Sequence, residues 1–204
     1  SDLINKGFKN IIPVLDNKSE IFYYDQFVDT DEYNVGIRVA TEEEPNFEFY
    51  TSRLGIRNAD VLPFYRSVLS QNKRARLKML HFFVDTGIKD SIYYWGELKK
   101  GITLYCELKK ICPTLTALNI GGGMPIPNTL GFEYDYQYMI SEIVQLIKDS
   151  CKEYGIEEPD IYTEFGKYTV GESGAVILSV VNAKKQNDSE IWYMVDNSLM
   201  NTIP

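Results

Sequence analysis

Short apolar runs rich in β-branched residues alternate along this chain with longer segments of helical period, which predicts βαβ units and a parallel sheet. The first run, Asn10–Leu15, leads into a helix over about 19–27, and the second, Asn34–Ala40, into one over about 59–70. The third run is Leu77–Val84, after which Trp95, Leu98, Ile102, Tyr105 and Leu108 recur at three- and four-residue steps as one helical stripe. The fourth, Ala117–Ile120, is followed by a helix whose face carries Ile140, Ile143, Val144, Ile147 and Cys151, and the fifth is Asp160–Thr163. From about Ala175 the pattern changes. Val176–Val181 and Ile191–Val195 flank the polar Gln186–Ser189 and read as an antiparallel hairpin. The expected organisation is α/β over 1–174, then the start of an all-β domain over 175–204. Five βα units suit both a doubly wound open sheet and a (β/α)₈ barrel, and are three short of a complete barrel.

Composition narrows the function classes. The 204 residues hold 21 Lys and Arg against 29 Asp and Glu, a net charge of −8, which argues against nucleic acid and anionic membrane as partners. No apolar run approaches the ~18 residues of a spanning helix, and residues 1–6 have no basic-then-apolar signal pattern. Three cysteines (Cys106, Cys112, Cys151) fit a reducing, cytoplasmic setting, and a single histidine, His81, leaves no multi-histidine metal site to build. No metal is expected. Chemistry here must rest on carboxylates, lysines, backbone amides or a cofactor.

In either α/β architecture, sites gather at the carboxyl ends of the strands. Those ends carry Arg38 and Ser52-Arg53-Leu54-Gly55, then Asp85-Thr86-Gly87, then Gly121-Gly122-Gly123-Met124-Pro125, and last Glu164-Phe165-Gly166-Lys167. Consecutive glycines leave backbone N–H groups open to an anion such as a phosphate, though they also suit a loose βα turn. Neither a G-x-G-x-x-G nor a Walker pattern is present. A strand-end carboxylate at Glu164 suits pairing with a pyridinium nitrogen; a surface Glu–Lys pair is the plainer alternative. His81 and Phe83 share one strand face and Phe82 the other, with a core histidine the simplest reading of His81. The acidic Thr41–Glu44 reads as a solvated loop.

Together these segments, from Val35 to Pro204, resemble the pyridoxal-phosphate-dependent decarboxylases of basic amino acids, the arginine, ornithine and diaminopimelate enzymes with an alanine-racemase-like barrel. The ordered motifs are Gly36-Ile37-Arg38-Val39, Ser52–Gly55, Leu80–Gly87, Leu118–Gly123 and Thr163–Tyr168. The ending Asp196–Pro204 is similar to that of the biosynthetic arginine decarboxylases. The resemblance implies a partial TIM-type barrel, about strands 4–8 of eight, with pyridoxal 5′-phosphate as cofactor. It further implies that Gly121, Gly122, Gly123 and Thr86 cradle the phosphate and that Gly166 and Lys167 close that pocket. Glu164 would pair with the pyridine nitrogen, Phe83 would stack on the ring, and Arg38 would line the site. The implied reaction is decarboxylation of a basic amino acid, arginine to agmatine in polyamine biosynthesis, by a protein that is a homodimer when full-length.

The departures from the family pattern are specific. Phe83 stands for a stacking histidine, Lys167 for an arginine, Asp85 for a glycine and Phe165 for a proline. A lysine in place of an arginine exchanges a bidentate fork for a point charge. The Schiff-base lysine of the family has no counterpart in the chain. The expectation is therefore a segment of a longer enzyme, with that lysine upstream and no catalytic residue of its own, inactive in isolation. Ornithine, lysine or diaminopimelate as substrate, a non-catalytic decarboxylase-like regulator, and an unrelated phosphosugar-binding α/β protein stand as alternatives.

Overall fold

The computed structural model describes residues 1–41, 52–127 and 131–198, and the chain divides into two units, Ser1–Lys167 and Tyr168–Pro204. The Glu42–Glu44 part of the acidic run and the last six residues lie outside the described residues.

The first unit opens with a short helix α1 (Asp2–Asn5), strand β1 (Val14–Leu15) and helix α2 (Glu20–Phe27). β1 is shorter than the run Asn10–Leu15 suggests, because Pro13 has no N–H to give a ladder and serves only as acceptor for the Gly36 amide, at 2.8 Å. Strand β2 (Tyr33–Ala40) follows, then a two-residue strand β3 (Ile56–Arg57) that the periodicity does not show, then helix α3 (Asn58–Ser67). Strand β4 (Ala75–Phe82) leads into helix α4 (Ile92–Ile111). Ser91 caps α4 by accepting from the Tyr94 amide at 3.2 Å, and the helix ends at Cys112, the residue before Pro113, where helical backbone is disfavoured. Strand β5 (Ala117–Asn119) precedes helix α5 (Tyr136–Tyr154), which runs between an Asp135 cap and Gly155 in the left-handed conformation (φ 65°). Strand β6 (Asp160–Tyr162) completes the sheet, and a short helix α6 (Gly166–Val170) follows.

All pairings in this sheet are parallel, in the order β1-β2-β4-β5-β6, with β3 beside the end of β2. An order that never reverses belongs to a barrel wall, whereas a doubly wound sheet reverses at a switch point. That decides between the two architectures left open by periodicity. The register shifts between Val35 and Gly36, whose partners are Leu77 and Met79, so Lys78 bulges out and the alternation of β4 resets. Beyond the bulge one face holds Ile37, Leu80, Phe82 and Leu118, which join the main apolar core with Leu98, Ile102, Tyr105 and Leu108 of α4. The other face carries in lateral register the row Gly36–Met79–Ala117–Asp160 and, nearer the carboxyl ends, the row Arg38–His81–Asn119–Tyr162. This polar upper row is the inner face of the wall.

The buried face of α5 is Met139, Ile143, Ile147 and Cys151, four-residue steps that leave Ile140, expected on that face, 45% exposed. The second unit holds an antiparallel pair, β7 (Val180–Lys185) and β8 (Ile191–Val195). Its first arm starts four residues later than Val176. The reason is the turn: Asn187 Oδ1 accepts the Ser189 and Glu190 amides, Lys185 pairs with Ile191, and pairing counted back from there ends at Ser179 and Asp196. Among the described residues no helix is long and apolar enough to cross a membrane.

The core has one position with no slack. A Cβ added at Gly101 of α4 would stand 2.4 Å from the Phe82 ring, which is 1% exposed and cannot move aside. Gly101→Ala is expected to lower the unfolding free energy by about 1–3 kcal/mol in urea denaturation, despite the ~1 kcal/mol that alanine gains in helix propensity. Stabilisation would contradict this packing.

Candidate functional site

The carboxyl ends of β4, β5 and β6 meet, and each glycine of Gly121-Gly122-Gly123 touches a different neighbour. A Cβ at Gly121 would lie 2.8 Å from the Phe82 carbonyl oxygen and 3.0 Å from the Phe83 ring; one at Gly122, 2.5 Å from the Glu164 carbonyl oxygen; one at Gly123, 2.6 Å from the Gly87 Cα. Gly121 and Gly123 have positive φ (73° and 93°), which a side chain would strain. The run is thus a junction where three strand ends close on one another, tighter than a loose turn.

Hydrogen bonds fasten this junction. The Glu164 amide donates to the Gly121 carbonyl at 2.8 Å, the Ile88 amide to the Gly123 carbonyl at 3.0 Å, and the Ile120 amide to the Tyr162 carbonyl at 3.1 Å. Asn119 is the bridge. Its Oδ1 accepts the Gly121 amide at 2.9 Å while its Nδ2 donates to Glu164 Oε1 at 2.9 Å. The amides of Gly122 and Gly123 donate to no described residue, so two adjacent N–H groups are left to an anion.

The remaining expected site residues surround this corner. Phe83 is half-buried with its ring against Gly121, on the same face as His81, while Phe82 turns to α4. Thr86 lies in the loop whose Gly87 touches Gly123, and its Oγ1 makes only a long 3.5 Å contact, to the Gly87 carbonyl. Gly166 donates to the Glu164 carbonyl at 2.9 Å and opens α6, with Lys167 next to it. Arg38 is half-buried in the row that contains His81. Neither Arg38 nor Lys167 has a hydrogen bond or ion pair to a described residue. Asp85, the departure nearest the glycines, is exposed and accepts from the Tyr93 hydroxyl at 3.3 Å.

Sequence reasoning gave Asn119 no role and read His81 as a core residue. Asn119 carries the signal of lying two positions before Gly121, on the inner face. His81 is buried as a core residue would be, at 7% exposure, yet it faces the site: its Nε2 stands 3.4 Å from Glu164 Oε1 and makes no hydrogen bond. Burial is the main force holding the His81 pKa below its ordinary value; Glu164 works against that and Arg38 adds to it. Among the described residues no group of three or more His, Cys, Asp or Glu side chains comes together to hold a metal.

The strand ends of this parallel wall thus bring a glycine corner with two open amides together with the Glu164 carboxylate. The chain belongs to the pyridoxal-dependent decarboxylase family: the family's pyridoxal binding domain matches residues 5–171. Pyridoxal phosphate is the cofactor of that domain, and a lysine decarboxylase similar in fold has been solved with PLP and cadaverine. The residues here fit such a group, with unpartnered glycine amides for a phosphate and a partly exposed carboxylate for a ring nitrogen. The biosynthetic arginine decarboxylase of Geotalea uraniireducens is 24% identical over 143 residues, which is 67% of this chain and 22% of that enzyme. The lysine decarboxylase of Selenomonas ruminantium superposes with a TM-score of 0.66 at 22% identity, over 92% of this chain and 47% of its own. The diaminopimelate decarboxylase of Helicobacter pylori, solved with L-lysine, gives 0.69 at 16% identity, over 91% and 46%. The chain therefore spans about a fifth of the curated relative and under half of the solved ones.

Two outcomes check this geometry. Gly122→Ala is expected to destabilise the chain by about 1–3 kcal/mol in urea denaturation, because its Cβ meets backbone, which cannot yield as a flexible side chain does; a neutral result would mean the corner is loose. For His81 the sign follows from the depressed pKa: the unfolded chain takes up the imidazole proton more readily, so stability falls as pH drops below about 6.5 and is unaffected above it. His81→Gln should show a shallower loss than the parent between pH 7 and pH 5; identical slopes would contradict a buried, neutral imidazole.

Proposed function

We propose that this chain is the cofactor-binding part of a decarboxylase of basic amino acids, with arginine the substrate and agmatine and CO₂ the products. The observation that carries the reading is the interlock of the glycine corner with Glu164, through the Glu164 amide on the Gly121 carbonyl and the bare Gly122 against the Glu164 backbone. The arginine relatives support arginine over lysine and diaminopimelate. The shared family supports decarboxylation of some such amino acid.

In this reading the Gly122 and Gly123 amides, the Thr86 hydroxyl and the Lys167 ammonium bind the phosphate. Glu164 keeps a proton on the ring nitrogen, Phe83 covers one ring face against water, and Arg38 lines the inner wall. The bound cofactor supplies an electron sink for the pair left when CO₂ departs. The Schiff-base lysine is assigned to a segment outside residues 1–204, as is the rest of a cytoplasmic homodimer in which residues 175–204 begin a β-domain. A regulator that keeps the cofactor site without decarboxylating is the second reading, favoured by Phe83, which puts an apolar ring where the family has a histidine.

The test uses pyridoxine 5′-phosphate, which has the ring and the phosphate but no aldehyde to react with lysines. Calorimetric titration is expected to give saturable one-to-one binding to the chain. Glu164→Ala should weaken it by roughly tenfold, about the worth of one charge-assisted hydrogen bond. Absence of binding would overturn the reading. In the full-length protein, release of labelled CO₂ from arginine separates the enzyme from the regulator.

A further inference from the structure

The Glu164 carboxylate has two unequal oxygens. Oε1 receives Asn119 Nδ2 at 2.9 Å and faces His81 Nε2 at 3.4 Å, whereas Oε2 receives no hydrogen bond from a described residue. The Glu164 side chain is 54% exposed and so has room to turn, but its backbone is pinned through its amide on Gly121 and through its carbonyl, which accepts from Gly166. The His81 side chain is 9% exposed, and its Nε2 is one of three buried side-chain polar atoms without a hydrogen-bond partner among the described residues; the other two are the Tyr94 and Tyr105 hydroxyls. A buried polar atom without a partner is destabilising, and a small turn of the half-exposed carboxylate brings Oε1 into hydrogen-bond reach of Nε2.

Resting on the cofactor reading above, we infer that His81 is a positioning residue for Glu164: with Asn119 it anchors Oε1 from inside the wall, leaving Oε2 aimed outward at the ring nitrogen of the bound ligand. Geometry supplies the argument. Arg38, His81 and Asn119 occupy one lateral row of the inner face, and Glu164 follows two residues after Tyr162, the row's fourth member, so its side chain returns to the same face one step nearer the strand ends. His81 thus sits beneath the carboxylate and has no other described partner. Phe83, two residues further along and just past the end of β4, offers no polar atom for that purpose. The charged groups that act on the imidazole are Glu164 from the end of β6 and Arg38 from β2, and the neutral Asn119 of β5 stands beside it in the row. A neutral imidazole donating from Nε2 supports the carboxylate without cancelling its charge. A protonated one adds a cation beside Arg38 and weakens Glu164 as an acceptor.

A single histidine in the chain makes the test unambiguous, because its imidazole resonances need no assignment. In the ligand-free chain, Glu164→Gln should lower the His81 titration midpoint by roughly 0.5–1 pH unit, since an attractive charge is removed, and Arg38→Leu should raise it. An unchanged midpoint in Glu164→Gln overturns the inference. With pyridoxine 5′-phosphate as probe, His81→Leu should bind roughly tenfold more weakly than the parent, while His81→Gln, whose amide can donate from the same place, should stay within about threefold. The parent's affinity should also fall on acidification through the His81 midpoint more steeply than that of His81→Gln. A His81→Leu chain that keeps its circular dichroism spectrum and binds as tightly as the parent overturns the inference, as does a His81→Gln chain no better than His81→Leu. Failure of the parent chain to bind the probe overturns the cofactor reading itself, and the ligand-free titration tells that failure apart from loss of the His81–Glu164 contact.

Discussion

Everything at the strand ends depends on how closely two backbones approach. Gly122 lies against the Glu164 carbonyl with no space for a methyl group, and the Glu164 amide reaches the Gly121 carbonyl one residue away. The contact does two things together. It removes the side chains that would cover the Gly122 and Gly123 amides, and it fixes a carboxylate beside those amides. In the proposed reading, the phosphate site and the partner of the ring nitrogen both follow from this one packing constraint.

The constraint is transmitted through Asn119. Its amide group reads both sides of the junction, accepting from Gly121 and donating to Glu164, and so converts backbone closure into a defined carboxylate position. The rows of the inner face extend the same logic across the sheet. Because neighbouring strands are parallel and in register, Arg38, His81 and Asn119 stand side by side, and their polarity collects on the face away from the apolar core. The opposite face packs on the helices through Leu80, Phe82 and Leu118.

Much of this was legible in the residues. Alternating β-branched runs and helical stripes placed the strands and helices, and the strand-end motifs named Gly121–Gly123, Glu164 and Phe83 as neighbours, which they are. What escaped has physical reasons. Periodicity describes one element at a time, so it cannot say whether strand order reverses; only the pairing of β1, β2, β4, β5 and β6 shows a barrel wall. β3 is two residues long, below any period, and Ile140 falls at the edge of the α5 stripe, one residue from the buried Met139, where spacing alone does not separate buried from exposed. The hairpin register was set by the Asn187 turn rather than by the apolar run before it. Asn119 and His81 were undervalued since their importance lies in a lateral partner 45 or more residues away in sequence.

In the proposed function one ligand spans the glycine corner and the glutamate corner. A crystal structure of the chain with pyridoxine 5′-phosphate tests it most directly. The phosphate should lie on the Gly122 and Gly123 amides and the ring nitrogen within about 2.7–3.2 Å of the Glu164 carboxylate. A ligand seated elsewhere, or one whose ring turns its nitrogen away from Glu164 while the phosphate sits on the glycines, would contradict it.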